Sequence, residues 1–352
     1  MIYILSKNYN ETTQAGNKAK TDIEAILLHM GLGNAGLQQT RFSNPIKAYF
    51  HTLFSVLKSP WTLHPKDIVV VQYPFNKYFK FICRLAHMRG AKVVTVIHDL
   101  QSFSLKHFSH KREIRRLNHS NYIIAHNQMM AKWLHDHGCK AKISSLGIFD
   151  YLARATPNTQ PSHLKPFSII YDGKLSPNQN AFIYHWLNSL DKQTPIRLEL
   201  YGNQFEPDAI TNPDAPVDYK GFLSPDAIIS TASAHFGLVW DGDSIDSCDG
   251  LSGEYLRINS PHKASLYLRC GIPVIVWNQS AIRHIINDFH AGIAVESLND
   301  LPAILAKMTA EEYQTLRQGA CRLGTLIAQG HFIQQALLSF RFRFGSDGRH
   351  YV

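Results

Sequence analysis

Short β-branched runs alternate with stretches of helical period along almost the whole chain, and no other feature constrains the fold as much. MIYILS (1–6), DIVVVQY (67–73), AKVVTVIHD (91–99) and SNYIIAH (120–126) read as strands. The last runs straight into NQMMAKWLHDHG (127–138), where Asn127 can cap a helix and Gly138 can end it. Strand, helix, strand in that order builds a parallel sheet with helices on both faces. From residue 167 the series restarts. FSIIYDGKL (167–175), IRLELYGN (196–203), HFGLVWDGD (235–243) and IPVIVWN (272–278) are strands, separated by NQNAFIYHWLNSL (178–190), SPDAIIST (224–231) and SPHKASLYLRCG (260–271) as helices. Between the two series, YLARATPNTQPSHLKPF (151–167) has three prolines and no apolar period, as an interdomain linker would.

The expected architecture is therefore α/β, with an N-terminal domain over 1–152, a linker over 153–167, a second domain over 168–330 and a C-terminal helix, 331–352, packing back on the first domain. Two doubly wound Rossmann-like domains facing a cleft would bind ligands at the carboxyl ends of their strands. At 352 residues the chain has material for two apolar cores. Its five cysteines are scattered, odd in number and form no C-x-x-C pair, which argues against a disulfide framework or a zinc knuckle. MIYILSKNYN reaches Lys7 too soon to be a signal peptide, and no apolar run approaches the ~20 residues of a bilayer helix. The expectation is a soluble cytoplasmic protein.

Thirty-six Lys and Arg against 27 Asp and Glu give a formal charge of +9, which favours an anionic partner. The basic residues cluster in FSLKHFSHKREIRRLNHS (103–120), where Lys106, Lys111, Arg112, Arg115 and Arg116 flank Phe103 and Phe108. That stretch reads either as a solvated helix face or as a patch for an anionic membrane surface or acceptor. No nucleic-acid-binding motif accompanies it, so nucleic acid is not an expected partner.

The loops after strands are where chemistry is expected. WDGDSIDSCDGLSGEYLRINSPHKASLY (240–267) crowds Asp241, Asp243, Asp246, Asp249 and Glu254 into one stretch. An EF-hand starting at Asp241 fails, with Ile245 and Asp246 at its fifth and sixth positions and Ser252 where the last Glu belongs. Asp241-Gly-Asp243 matches a two-acid metal motif, and equally an Asp/Gly turn. At the basic end, Ser260-Pro261 reads as a cap and a proline in the first turn of a helix that Gly271 ends. Lys263 would then join the helix N-terminus around an anion such as a pyrophosphate, or simply be exposed on a capped helix. In YDGKLSPNQN, Gly173 would let the backbone turn and Lys174 could reach a phosphate. In VIHDL, His98 and Asp99 at a strand end can orient an acceptor hydroxyl and take its proton, or be structural. The stretch NYNETTQAGNKAK, with Gly16, Asn17 and Lys18, could approach the cleft as a flexible lid or touch the acceptor. G-x-G-x-x-G is absent, which disfavours a nicotinamide enzyme.

AGNKAKTDIE, VIHDL, AHNQMMAKWL, GIFDYL, YDGKLS, FGLVWDGDSIDSCDG and NSPHKASLYLRCGIPVIVW are blocks spread over nearly the whole chain, the last two long and specific. By them the sequence resembles the bacterial β-1,6-galactofuranosyltransferases of O-antigen and capsule synthesis, and more distantly a streptococcal glucosyltransferase. It implies a GT-B fold, a UDP-sugar donor (UDP-galactofuranose first) and no essential metal or cofactor. It implies that Lys174, Asp241, Asp243, Ser260, His262 and Lys263 line the donor site and that His98 and Asp99 face the acceptor. The paired-Glu motif of retaining GT-B enzymes has no match, since Ile258 and Leu266 stand at those places, so an inverting displacement is expected, with Asp99 as base. The expected partners are a UDP-sugar, a glycan or lipid-linked oligosaccharide acceptor and the inner membrane face. A homo-oligomer stays open, as do two rivals: UDP-glucose transfer, and a non-catalytic nucleotide-sugar-binding partner of a transferase.

Overall fold

The computed structural model of the chain describes residues 1–9, 15–75, 78–105, 107–158, 161 and 163–344. It divides into two units, Met1–Asp150 with Gly330–Val352, and Tyr151–Gln329. The elements of the first stretch are β1 (Ile2–Ile4), α1 (Ala15–His29), β2 (Gly33–Asn34), α2 (Pro45–Thr62), β3 (Ile68–Tyr73), α3 (Phe79–Met88), β4 (Lys92–Ile97), α4 (Gln101–Ser104), α5 (His110–Leu117), β5 (Tyr122–Ala125), α6 (Gln128–Asp136) and β6 (Lys142–Ser145). The second unit contributes β7 (Phe167–Lys174), α7 (Phe182–Ser189), β8 (Ile196–Asn203), β9 (Val217–Gly221), α8 (Pro225–Thr231), β10 (Phe236–Val239), α9 (Gly250–Leu256), α10 (His262–Arg269), β11 (Val274–Trp277), α11 (Arg283–Phe289), β12 (Gly292–Val295), α12 (Leu301–Lys307) and α13 (Ala310–Ala328). The chain then returns to the first unit as α14 (His331–Phe344).

Both sheets are six-stranded and parallel. The first runs β2-β1-β3-β4-β5-β6 and the second β12-β11-β10-β7-β8-β9. In each, the opening strand is extended first on one side and then on the other. The reversal falls between β1 and β3 in the first sheet and between β7 and β10 in the second. A crevice opens at the carboxyl ends of the strands at such a reversal, because the flanking crossovers leave in opposite directions. Strands buried on both faces explain the unbroken apolar runs: VVV of β3, VVTV of β4 and FGLV of β10 are almost wholly out of water.

The second core gathers Phe167, Phe182, Trp186, Phe236, Leu238, Trp240 and Trp277, and each such side chain contributes roughly 1.5–3 kcal/mol when removed from water. Local signals set the helix ends. Asn127 Oδ1 accepts from the Met129 and Met130 amides at 2.9 and 3.0 Å, and Thr309 and Glu312 form a reciprocal capping box at the start of α13. The proline-rich stretch after Tyr151 is not free chain. The Arg154 and Ala155 amides donate to Asp226 Oδ1 at the start of α8, and Arg269 on α10 donates to the Ala155 carbonyl.

Asp150 ends the first unit's first stretch, and its carboxylate accepts the Phe332 and Ile333 amides at 3.0 and 2.8 Å. The first turn of α14 is thereby pinned to the residue from which the chain departs. Further along α14, Phe340 meets the Tyr122 ring edge-on at 5.2 Å and Ser339 bonds Ser144. Burial pushes the Asp150 carboxyl up to about 7, against the two amide hydrogen bonds, which favour its charged form.

Candidate active site

In the second unit, three chain segments converge at the reversal point. β7 delivers Tyr171 and Asp172, the residues just past β10 deliver Asp241, and the first turn of α10 delivers Lys263. The Lys263 ammonium donates to Asp241 Oδ1 at 3.0 Å and to the Tyr171 hydroxyl at 3.1 Å, and lies 4.4 Å from the centroid of the Tyr171 ring. Burial works against its charge, but the Asp241 carboxylate and the hydroxyls of Tyr171 and Tyr267 outweigh that. The net pKa is raised and the group stays cationic. Tyr267, one turn further along α10, accepts the Asp172 amide at 2.7 Å. It can lie flat on the sheet because residue 237 is glycine: a Cβ there would sit 2.2 Å from the Tyr267 ring. Burial raises the Asp172 carboxyl to about 6, partly offset by Lys263.

The first unit has a second polar group at its own reversal point. Ser6 beyond β1 donates to Glu24 of α1 at 2.5 Å, and Gln72 of β3 donates to the Tyr9 hydroxyl and the Lys20 carbonyl at 3.1 and 3.0 Å. With its amide nitrogen so committed, Gln72 presents Oε1 to His98 Nε2 at 2.7 Å, which places a proton on that nitrogen. The His98 ring stacks on Phe149 at 5.5 Å. Burial raises Glu24, lowers Lys20 and, with help from the Lys20 charge, lowers Lys7 to about 8; Asp99 partly restores the charge of Lys20. Displaced pKa values concentrated at one strand edge mark a candidate ligand site.

Comparison with known proteins assigns the chain. Residues 1–148 match the N-terminal domain, and residues 169–340 the C-terminal domain, of the glucosyltransferase 3-like proteins. The β-1,6-galactofuranosyltransferase WbbI of Escherichia coli K12 is 31% identical over 278 residues, covering 78% of this chain and 79% of that protein. The chain belongs to the glucosyltransferase 3-like family. Glucosyltransferase 3 of Streptococcus gordonii is 27% identical over 77% of the chain and 78% of its own length. Among solved structures, Anabaena HepE with UDP and glucose superposes with a TM-score of 0.57 at 15% identity, over 98% of this chain and all of that one. The lipopolysaccharide outer core galactosyltransferase WaaB superposes with a TM-score of 0.60 at 13% identity, over 96% and 99%. The fold is GT-B, and this glucosyltransferase 3-like chain is a glycosyltransferase.

Of the donor-site residues expected from the sequence, the structure brings Asp241 and Lys263 together and spreads the rest. Lys174 is the last residue of β7, paired with Asn203 of β8; its side chain is exposed and its carbonyl accepts from the Asn180 side-chain amide at 2.8 Å. Gly173 lies within β7, paired with Gly202, rather than in a turn. Ser260 is not the helix cap: Pro261 occupies that position, α10 begins at His262, and Ser260 is buried before it. A proline at the cap has no side chain to offer the helix amides. His262 stacks on Tyr151 at 4.6 Å.

The acid-rich stretch is also not one loop. Its second half is the short helix α9, which carries Glu254. The other acids have separate partners: Asp249 accepts the Asp243 amide at 3.2 Å beneath Gly242 (φ +114°), Asp246 accepts from Asn299 and Ser297, and the Asp243 carbonyl faces His185. Among the described residues no three carboxylate, imidazole or thiol groups converge as metal ligands. Gly16, Asn17 and Lys18 lie in the first turns of α1 instead of a lid loop; residues 10–14 of that expected lid, and Lys106 of the basic stretch, fall outside the described residues. No described helix is long and apolar enough to cross a membrane. Sequence reasoning missed Tyr171, Asp172 and Tyr267, and in the first unit Lys7, Tyr9, Lys20, Glu24 and Gln72. The available signal was polar side chains at the carboxyl end of otherwise apolar strands, in YD before GK and in VQY.

Proposed function

We propose that the chain transfers a galactofuranosyl group from UDP-galactofuranose to a hydroxyl of a glycan acceptor in cell-surface polysaccharide synthesis, forming a β-1,6 linkage with inversion. The observation that carries the reading is the Lys263–Asp241–Tyr171 group at the second sheet's reversal point, in a member of this glycosyltransferase family. Tyr171 and Asp241 take two of the three ammonium protons, leaving one for a diphosphate oxygen. A fixed cation there would neutralise charge growing on UDP as the anomeric bond breaks, with no metal required. Lys174 on its exposed strand end would reach the same diphosphate as a mobile charge. The acceptor hydroxyl would lose its proton to Asp99, with His98 as a positioning residue held by Gln72. The sugar follows WbbI, the curated relative of greater identity.

Glucosyl transfer from UDP-glucose is the second reading, favoured by the family's description and by the streptococcal relatives. A panel of UDP-sugars offered with a synthetic glucoside acceptor, the product linkage read by NMR, decides between them. Turnover of UDP-glucose alone overturns the galactofuranosyl reading, and donor binding without turnover of any sugar favours the non-catalytic rival. Activity should survive exhaustive EDTA treatment; a loss restored by manganese would return Asp241 and Asp243 to a metal-binding role.

A further inference from the structure

The α2 helix is amphipathic the wrong way round. Ile46, Tyr49, Phe50, Phe54, Leu57 and Trp61 are all exposed, Ile46 to 65%, Phe54 to 56% and Trp61 to 78%. At 100° per residue these positions fall within an arc of about 140° on one face. The opposite face, which packs inward, holds Ser55, Val56 and Ser59. The serine hydroxyls have partners inside: Ser55 Oγ donates to the Ser6 carbonyl at 2.7 Å and Ser59 Oγ to the Val56 carbonyl at 2.8 Å. A surface helix that buries serines and offers its aromatic side to the outside has that side committed to something other than its own core.

A cationic surface continues directly from this stripe. Tyr49 packs against Tyr78 with ring centroids 6.2 Å apart, and Tyr78 immediately precedes α3. The next residues, Phe79 and Lys80, line a cavity of about 350 Å³ whose other walls are Ser109, Lys111, Arg112, Arg115 and Arg116 of the α5 region. Arg84 and the 80%-exposed Met88 extend the same helix α3. Neither α2 nor α3 contains an acid. The one acid of α5, Glu113, is fully buried and accepts from the Tyr73 hydroxyl and the Gln101 and Ser102 amides, so its charge is not offered outward. Lys47 and Lys58 stand at one margin of the aromatic stripe, placed to reach past it.

We infer that the α2–α3–α5 face docks the first unit onto an anionic lipid surface, with α2 lying in the interface plane and the basic cavity taking headgroup phosphates. Aromatic side chains at the headgroup boundary flanked by Lys and Arg are the chemistry of an interfacial helix. A second copy of the chain is the poorer occupant, because a twofold contact would set this face against itself and bring cation against cation. The lipid is the generic anionic headgroup, not a soluble phosphate, because a small ion would leave the aromatic stripe in water.

The test is co-sedimentation of the full chain with phosphatidylcholine vesicles, with and without about one-third phosphatidylglycerol. Binding should rise at least about tenfold with the anionic lipid, fall as salt is raised, and blue-shift the tryptophan emission, a shift that Trp61→Phe removes. Phe54→Ser with Trp61→Ser, and separately Arg112→Gln with Arg115→Gln, should each reduce binding about tenfold or more while leaving UDP affinity unchanged. Equal binding to both vesicle types, or none at low salt, overturns the proposal. So does a wild-type dimer that Trp61→Ser converts to monomer without changing vesicle binding, which would assign the face to a second copy. Displacement from vesicles by millimolar inorganic phosphate at matched ionic strength, with Trp61→Ser silent, would reduce it to a soluble-anion site.

Discussion

Lys263 sits among groups that each need it for a different reason: Asp241 for charge, Tyr171 for a hydrogen-bond donor, and in the proposed reaction a departing diphosphate. Lys263→Ala is expected to weaken UDP binding by about 2 kcal/mol, roughly thirtyfold, as read by calorimetry; an unchanged Kd would remove Lys263 from the donor site. Because the single variant also leaves Asp241 without its cation, Lys263→Ala with Asp241→Ala separates lost attraction from stranded charge. If the second change restores UDP affinity, repulsion from Asp241 was the larger part. Both residues were legible in the sequence, Asp241 as a charge on the loop after a strand and Lys263 as one at the start of a helix. Their pairing was not, since 22 positions separate them. Tyr171 and Tyr267 were illegible for another reason: an aromatic residue in an apolar run reads as core, and only the fold shows that their hydroxyls point at Lys263 and the Asp172 amide.

At the scale of elements, α10 is positioned by what β10 lacks. Gly237→Ala would drive a methyl into the Tyr267 ring, shift α10 and break the hydroxyl's bond to Asp172. A loss of about 2–3 kcal/mol in urea denaturation is expected, together with weaker UDP binding. A stable protein with full UDP affinity would show that the contact does not position the site. The strands rich in Val and Ile were readable because burial on both faces demands unbroken apolar text. β9, with VDYKG at the sheet edge, and β6, with KISS, were not, since none of their residues is fully buried and they carry no apolar run. The α9 helix was hidden by its glycines and by the acids before it, and Ser260 looked like a cap because nothing in the sequence says that the helix starts two residues later.

For the whole molecule, the strongly raised carboxyls of Asp150 and Asp172 contribute to how stability responds to pH. A carboxyl titrates near 4 in the unfolded chain, whereas Asp150 and Asp172 titrate at about 7 and about 6 when folded. Between those values the folded state holds protons the unfolded state has released, so their contribution is full below about pH 4 and is lost as the pH climbs to 7. Asp150→Asn, a neutral stand-in for the protonated acid, should flatten the decline in unfolding free energy measured between pH 4 and 7; an unaltered slope would mean that Asp150 is not its source. The same residue orders events during synthesis. The chain leaves the first unit at Asp150 and comes back only at Gly330, so the helix that Asp150 pins emerges from the ribosome after the whole second unit. The second unit is complete in sequence before the first has its final helix. The first unit is therefore completed only after the second has been made, and a nascent chain stalled before residue 330 would present a folded second unit joined to a first sheet still open along β6 and α1, where a chaperone that recognises exposed apolar surface would bind.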